Sequence, residues 1–329
     1  MNVIPLLEQL SDGDFRSGQA LGRELGISRA AIWKHIEQLR ELGVSIQAVT
    51  GKGYRIPGGL VLLSRARITA ALDAGIRDRI AAAFDLHFSV GSTNTEALAK
   101  AASGSDLYLV MTEHQSSGRG RRGRSWISPF GRNLYMSLLW SFQGGVSTLE
   151  GLSLVCALAV RRALAREAYH GIEVKWPNDV LFQRRKLAGI LLEVSGDISG
   201  PCKVVIGIGL NTEMPAQAGS RIDQPYSDLR AMAGRPIDRN RLAAAVISEL
   251  VAAISVFESH GFAPFKAEWV EADSYLGEPV EVHSGQTVLK GVYTGVDETG
   301  RLLLQTAEGA RLVAGGEVMP SLRLTKGRD

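Results

Sequence analysis

The 329-residue sequence has only two cysteines, Cys156 and Cys202, and neither stands in a CxxC or Cys/His spacing. A disulfide framework and a zinc site therefore have no ligand pattern to rest on, and both thiols read as small buried residues. No stretch approaches the roughly 18 uninterrupted apolar residues of a membrane span, and no signal core follows Met1. The expected address is the cytoplasm, without membrane contact. The Walker pattern GxxxxGK[ST] is missing too, so nucleotide binding through a P-loop is excluded. Nor does one sign of charge dominate. A net charge of +3 is too small to declare a nucleic-acid partner from the total alone.

What remains is an ordinary globular composition, 45% hydrophobic and 22% charged, on a chain long enough for two or three folding units. The local distribution of charge says more. From His114 to Leu149 there is no Asp or Glu, while Arg119, Arg121, Arg122, Arg124 and Arg132 all fall inside that window. Such a field favours an anion.

The first sixty residues predict a small helical unit. A short helix over 1–10 and a second over 17–25 are followed by a tight turn at Gly26 and a third helix, capped by Ser28 and marked by Ile32, Ile36 and Leu39 at helical spacing. Alternation at Val44, Ile46 and Val49, then Gly51-Lys52-Gly53-Tyr54-Arg55, suggests a two-stranded wing with a basic tip. The ensemble is a winged helix. Ser28, Arg29, Lys34, Arg40 and Lys52 are its candidate DNA contacts, since such side chains suit phosphates and guanine edges. Trp33 departs from a polar recognition helix, and either stacks on DNA or packs against the wing.

Beyond Leu63 the pattern becomes mixed α/β. A helix runs through Ala74, a strand through 84–90 leads into Ser92-Thr93-Asn94, and Ser92 or Thr93 is placed to cap the helix that follows, to Ala102. After a strand at 107–112 comes Gln115-Ser116-Ser117-Gly118-Arg119-Gly120-Arg121-Arg122-Gly123-Arg124-Ser125-Trp126. Its glycines permit bends and its arginines offer forked donors to phosphate oxygens. The embedded GxGxxG precedes a strand rather than a helix, which removes the dinucleotide reading. A strand at 133–142, a helix at 148–167 and a strand at 204–210 frame two further motifs, Lys175-Trp176-Pro177-Asn178-Asp179 and Lys186-Leu187-Ala188-Gly189. Helices over 239–260 and 265–272 lead to glycine-punctuated short strands, among them 288–293, 302–305 and 310–313, which predict a small β domain.

Ser92-Thr93-Asn94, the loop from Gly118 to Trp126, Lys175 to Asp179, Lys186 to Gly189 and Gly207-Ile208-Gly209-Leu210-Asn211 occur together in this order. In these five motifs the chain resembles the biotin protein ligase family, specifically its bifunctional members that also repress biotin synthesis. The resemblance implies an α/β (α+β) architecture: a winged helix-turn-helix at 1–62, a class II synthetase-like mixed-sheet ligase domain at 63–272, and an SH3-like barrel at 273–329. It implies ATP with magnesium, biotin as substrate, and biotinyl-5'-AMP as intermediate and corepressor. The implied partners are the biotin carboxyl carrier protein of acetyl-CoA carboxylase, operator DNA, and a second copy of the chain recruited by the adenylate.

By the same resemblance, biotin is held by Ser92, Thr93, Asn94, Gln115, Arg119, Gly120, Arg121, Lys186, Gly189 and Gly207, and the nucleotide by Arg121, Trp126, Lys175, Asn178 and Asn211. Residues 212–224 form a loop over the adenine. Arg119, Arg121, Lys175, Lys186 and Asp179 carry catalysis, Asp179 either positioning the acceptor amine or meeting magnesium; no metal is held by protein ligands alone. Trp126 and Trp176 are either pocket walls or core. Two alternatives stand beside this reading: a lipoate or octanoate ligase of the same fold, and a biotin-sensing transcription factor without activity.

Overall fold

The structure, a computed structural model, describes residues 3–196, 200–284, 287–314 and 321–324. Met1, at the start of the expected first helix, lies outside them, as do Gly285 and Gly315, two of the glycines that punctuate the C-terminal segment.

Helices α1 (Ile4–Gln9), α2 (Gly18–Glu24) and α3 (Arg29–Glu41) precede a hairpin of β1 (Gln47–Val49) and β2 (Gly53–Arg55). Ser28 caps α3 as the sequence predicts, and Ser17 caps α2 in the same way: the Ser17 and Ser28 hydroxyls accept the amides of Ala20 and Ala31 at 3.1 Å. Ile32, Ile36 and Leu39 turn inward against Leu6, Leu7, Leu10 and Leu21. That removes their apolar area from water and fixes which face of α3 looks out. Phe130, from the central region, completes this core beside Phe88, ring centroids 4.6 Å apart.

The helix expected through Ala74 is two, α4 (Arg65–Ala71) and α5 (Ala74–Ala82), because the chain turns extended at Leu72. Next come β3 (Phe84–His87), α6 (Thr93–Ala102), β4 (Leu107–Thr112), β5 (Leu134–Phe142), α7 (Leu152–Arg166), β6 (Ile172–Lys175), β7 (Asp179–Phe182), β8 (Arg185–Gly196) and β9 (Cys202–Leu210). The helix expected over 148–167 begins only at Leu152, since Gly151 at φ 82° interrupts it after one 3-10 turn. The seven strands form one sheet in the order β3-β4-β5-β9-β8-β7-β6, parallel only between β3 and β4. Short helices α8 (Ala216–Gly219) and α9 (Leu229–Ala233) lead to α10 (Arg239–His260) and α11 (Lys266–Ala272).

One face of the sheet is sealed by α7 and α10. Among the described residues α10 alone would suit a membrane span by length and composition, but its Leu242, Val246, Leu250 and Ile254 are spent on the core shared with α7. The opposite face is covered at one end by α6, through Ala97, Val110, Leu139 and Val205. Its other end is left open.

Strands β10 (Pro279–Ser284), β11 (Thr287–Val296), β12 (Leu302–Thr306), β13 (Gly309–Val313) and β14 (Ser321–Leu324) form an antiparallel sheet ordered β13-β12-β11-β10-β14. These are the short strands expected of an SH3-like barrel, bent by a bulge between Tyr293 and Gly295. Their inward residues Val280, Val282, Tyr293, Leu302 and Leu304 join the central core. Trp176 belongs to that junction: it is fully buried, and its indole N–H donates to the Gly300 carbonyl at 3.0 Å.

Candidate functional site

The open end of the sheet is a cleft of ≈ 920 Å³. Its floor is made of Gly189 and Leu191 of β8 with Gly207 and Gly209 of β9; its rim is the arginine loop, residues 221–226 and Tyr275. All of the sequence-predicted ligand residues line it: Ser92, Thr93, Asn94, Gln115, Arg119, Gly120, Arg121, Trp126, Lys175, Asn178, Asp179, Lys186, Gly189, Gly207 and Asn211.

One end is a connected polar cluster. Ser92 occupies the N-cap position of α6, yet its side chain makes no capping bond. The cap expected of Ser92 or Thr93 is supplied instead by Gln115, whose Oε1 accepts the Thr93 amide at 2.9 Å and the Thr93 hydroxyl at 3.2 Å. Gln115 Nε2 donates to Ser128 at 3.1 Å. Ser137, a buried hydroxyl within the mostly apolar β5, reaches Thr93 Oγ1 at 2.7 Å and Asn94 Oδ1 at 2.6 Å. A Cβ on Gly207 would overlap the Asn94 amide, so this close approach demands glycine. Ser137 was not anticipated; a lone hydroxyl in a buried apolar run was its only signal.

The other end carries charge. Arg121 donates to Asn178 Oδ1 at 2.7 Å, while Asn178 Nδ2 donates to the Ile190 carbonyl at 2.7 Å. Both ends of Asn178 are thereby occupied in holding the guanidinium rather than turned to a ligand. Burial pulls Arg121 down to about 10, still a cation at neutral pH. Lys186 forms an ion pair with Asp179 at 2.8 Å, and its ammonium lies 5.5 Å from the Trp126 ring centroid. Lys175 sits 5.6 Å over Tyr275.

Among the described residues, four buried polar atoms of this cleft have no hydrogen-bond partner: Arg121 Nη2, Trp126 Nε1, Asn211 Oδ1 and Asp179 Oδ1, the last of them ion-paired with Lys186. Buried polar groups are normally satisfied, so a cluster of orphans in one cavity calls for a polar ligand. Asn211 is held in place, its Nδ2 donating to the Ser227 carbonyl at 3.1 Å. Residues 225–227 run beside β8: Lys186 N–H donates to the Pro225 carbonyl and Ser227 N–H to that of Lys186, at 3.0 and 2.9 Å. Trp126 packs so tightly over Gly209 that a Cβ there would enter its ring, which makes this indole a wall of the cleft.

The arginine loop is tied down on both flanks. Arg119 donates to Glu193 at 2.8 Å and to Thr95 at 3.2 Å. Arg122, at φ 57°, donates to the His283 carbonyl of β10 at 2.7 Å.

On the winged helix, Arg29, Lys34 and Lys52 are exposed. Trp33 stands out from α3 at 58% exposure, so packing against the wing is excluded. Arg40 is exposed as well, and it pairs with Glu37 at 2.7 Å and donates to the Ile46 carbonyl at 3.0 Å, tying α3 to the segment that enters the wing. Ser28 is committed to its cap.

Comparison with known proteins bears on the whole chain. Residues 89–211 match the biotin/lipoate A/B protein ligase family, 4–55 an HTH domain, and 275–319 the biotin protein ligase C-terminal domain. The bifunctional ligase/repressor BirA of Escherichia coli (strain K12) is 39% identical over 96% of this chain and 97% of its own length. The protein of the same description from Bacillus subtilis (strain 168) is 31% identical over 96% and 97%. Among solved structures, a biotin protein ligase from Aquifex aeolicus in complex with biotin and ATP is 30% identical, covering 74% of this chain and 99% of its own, with a TM-score of 0.63. This chain therefore belongs to the biotin protein ligase family, among its bifunctional ligase/repressors.

Proposed function

We propose that the chain is an ATP-dependent biotin protein ligase that also represses transcription. The observation that carries the enzymatic reading is the cleft itself: a polar cluster at one end, Arg121 and Lys186 at the other, and orphaned buried donors and an acceptor between them. A ureido ring suits the cluster of Thr93, Asn94 and Gln115, whose remaining donor and acceptor capacity a lipoyl ring has no groups to use.

The carboxylate oxygen of biotin attacks the α-phosphorus of ATP, pyrophosphate leaves, and biotinyl-5'-AMP remains. A lysine amine of the biotin carboxyl carrier protein then attacks the acyl carbon and AMP departs. Arg121, Lys186 and Lys175 neutralise charge on the carboxylate and phosphates, and Arg119 and Gly120 close the loop over the intermediate. Trp126 and Asn211 border the nucleotide, and Asn178 acts through Arg121. Asp179 holds Lys186 until an anion competes for it. Magnesium arrives on the triphosphate; Asp179 and Asp223 are the carboxylates that line the cleft.

The exposed Arg29, Lys34 and Lys52 beside Trp33 support operator binding, and unused adenylate favours a two-fold dimer matched to a two-fold site. The working units remain 1–62, 63–272 and 273–329, acting in the cytoplasm. Purified protein tests the reading: biotin, but neither lipoate nor octanoate, should drive pyrophosphate release from ATP, and Lys186→Ala should abolish it. Biotin binding and promoter DNA binding without any release would leave the sensor alone.

A further inference from the structure

Glu193, on β8, stands outside every motif role assigned above. One of its oxygens, Oε2, accepts from two different parts of the site: Asn94 Nδ2 at 2.7 Å and Arg119 Nη2 at 2.8 Å. The first belongs to the polar cluster, the second to the arginine loop. On the strand, Glu193 shares a face with Leu191 and Gly189, which form the cleft floor, so the carboxylate rises from the same surface that the ligand rests on.

The Asn94 amide has little freedom. Its oxygen accepts from Ser137 and its nitrogen donates to Glu193, and an anion at the nitrogen end rules out the flipped amide, which would turn two oxygens toward each other. The carboxylate thereby decides which atoms Asn94 presents. Arg119 is the more exposed partner, 41% against 26% for Glu193. Its ionic contact anchors the loop on the β8 side, as Arg122 does on the β10 side.

We infer that Glu193 is a positioning residue for adenylate formation, a single carboxylate oxygen that sets the Asn94 amide for the ring of biotin and pins the Arg119 loop for its carboxylate. The inference rests on the ligase reading. Glu193 touches neither substrate nor phosphate, and acts through its two partners.

Two variants separate its two tasks. Glu193→Gln keeps a neutral oxygen for Asn94 and removes the charge facing Arg119; Glu193→Ala removes both. The Gln variant should bind biotin within about twofold of wild type while its kcat for pyrophosphate release falls about fivefold, the modest size reflecting a solvent-screened pair. The Ala variant should lose the same kcat and weaken biotin binding about tenfold, as a hydrogen bond to a charged group implies. Equilibrium biotin titration and single-turnover release read the two effects apart. If the variants match each other in both measurements, whether intact or equally impaired, the positioning role is overturned while the ligase stands. If wild-type protein neither binds biotin nor releases pyrophosphate, the ligase reading falls and takes this inference with it.

Discussion

Glu113 and Arg239, 126 positions apart in the chain, meet in a 2.7 Å ion pair with each side chain only 5% exposed. The pair clasps the segment leaving the winged helix: Leu63 N–H donates to Glu113, and Arg239 donates to the Val61 carbonyl at 2.7 Å. Beside it, Asn240 accepts from Ser64 N–H at 2.6 Å and donates to the Leu62 carbonyl at 3.0 Å. Four consecutive residues are thus held by their backbones. Removing one partner strands a buried charge, so Arg239→Ala or Glu113→Ala should cost about 3 to 5 kcal/mol, read by denaturant unfolding. A loss below about 1 kcal/mol would show that the ion pair is not what secures the segment.

Gly207 and Gly209 make a paired test of the cleft floor. Gly207→Ala should drive Asn94 out of register and weaken biotin binding about tenfold, while Gly209→Ala should displace Trp126 and weaken ATP more than biotin; overpacking of about 1 to 3 kcal/mol sets both sizes. Calorimetric titration with each ligand decides, and equal losses for both ligands in both variants would contradict the assignment of ring and nucleotide to different ends.

On the winged helix, Arg29→Ala and Lys34→Ala should each lower operator affinity and reduce the slope of log affinity against log salt by about 0.9, the signature of one lost phosphate contact. Trp33→Ala should lower affinity with the slope unchanged, since an apolar contact releases no counterion. Arg40→Ala should instead loosen the joint between α3 and the wing. Gel shifts across a salt series check all four, with pyrophosphate release as the control that stays constant. A Trp33 variant binding as tightly as wild type would remove that residue from the interface.

Asp273, where α11 meets the C-terminal sheet, is raised to about 6 by burial, against an ordinary carboxyl value of 3.8. A native acid that holds its proton more tightly than the unfolded chain destabilises the fold above its native value, and the loss is recovered progressively as pH falls from that value to the unfolded one. Stability of the wild type relative to Asp273→Asn should therefore rise on going from pH 7.5 to pH 5, by about 1.4 kcal/mol, since about one pH unit of that interval lies below the native value. Parallel stability profiles for the two proteins would place the carboxylate in a polar environment instead.

Much of this architecture is legible in local pattern. The Ser28 cap, the strand at Leu107–Thr112 and the helix at Arg239–His260 follow from residue types within a few positions of each other. So does the gathering of five motifs on one site, once their order is recognised. What escaped was set by distant partners. Gln115 replaces Ser92 as the cap of α6 because it arrives from another strand end, 22 residues on. Arg40 reads as a free cation until folding brings the Ile46 carbonyl to it. Glu113, Ser137, Glu193 and Arg239 carry no motif of their own, and each acquires meaning only from the groups that tertiary packing brings to it.

The tether between Arg122 and the C-terminal sheet uses a main-chain oxygen, that of His283. Any side chain at 283 leaves that oxygen in place, so the contact is indifferent to the identity of the residue that makes it. Substitution scanning along β10 would pass over it without a signal, and relatives could drift freely at this position while keeping the grip. Only a change at Arg122 itself, or a shift in how β10 pairs with its neighbours, would let the loop go.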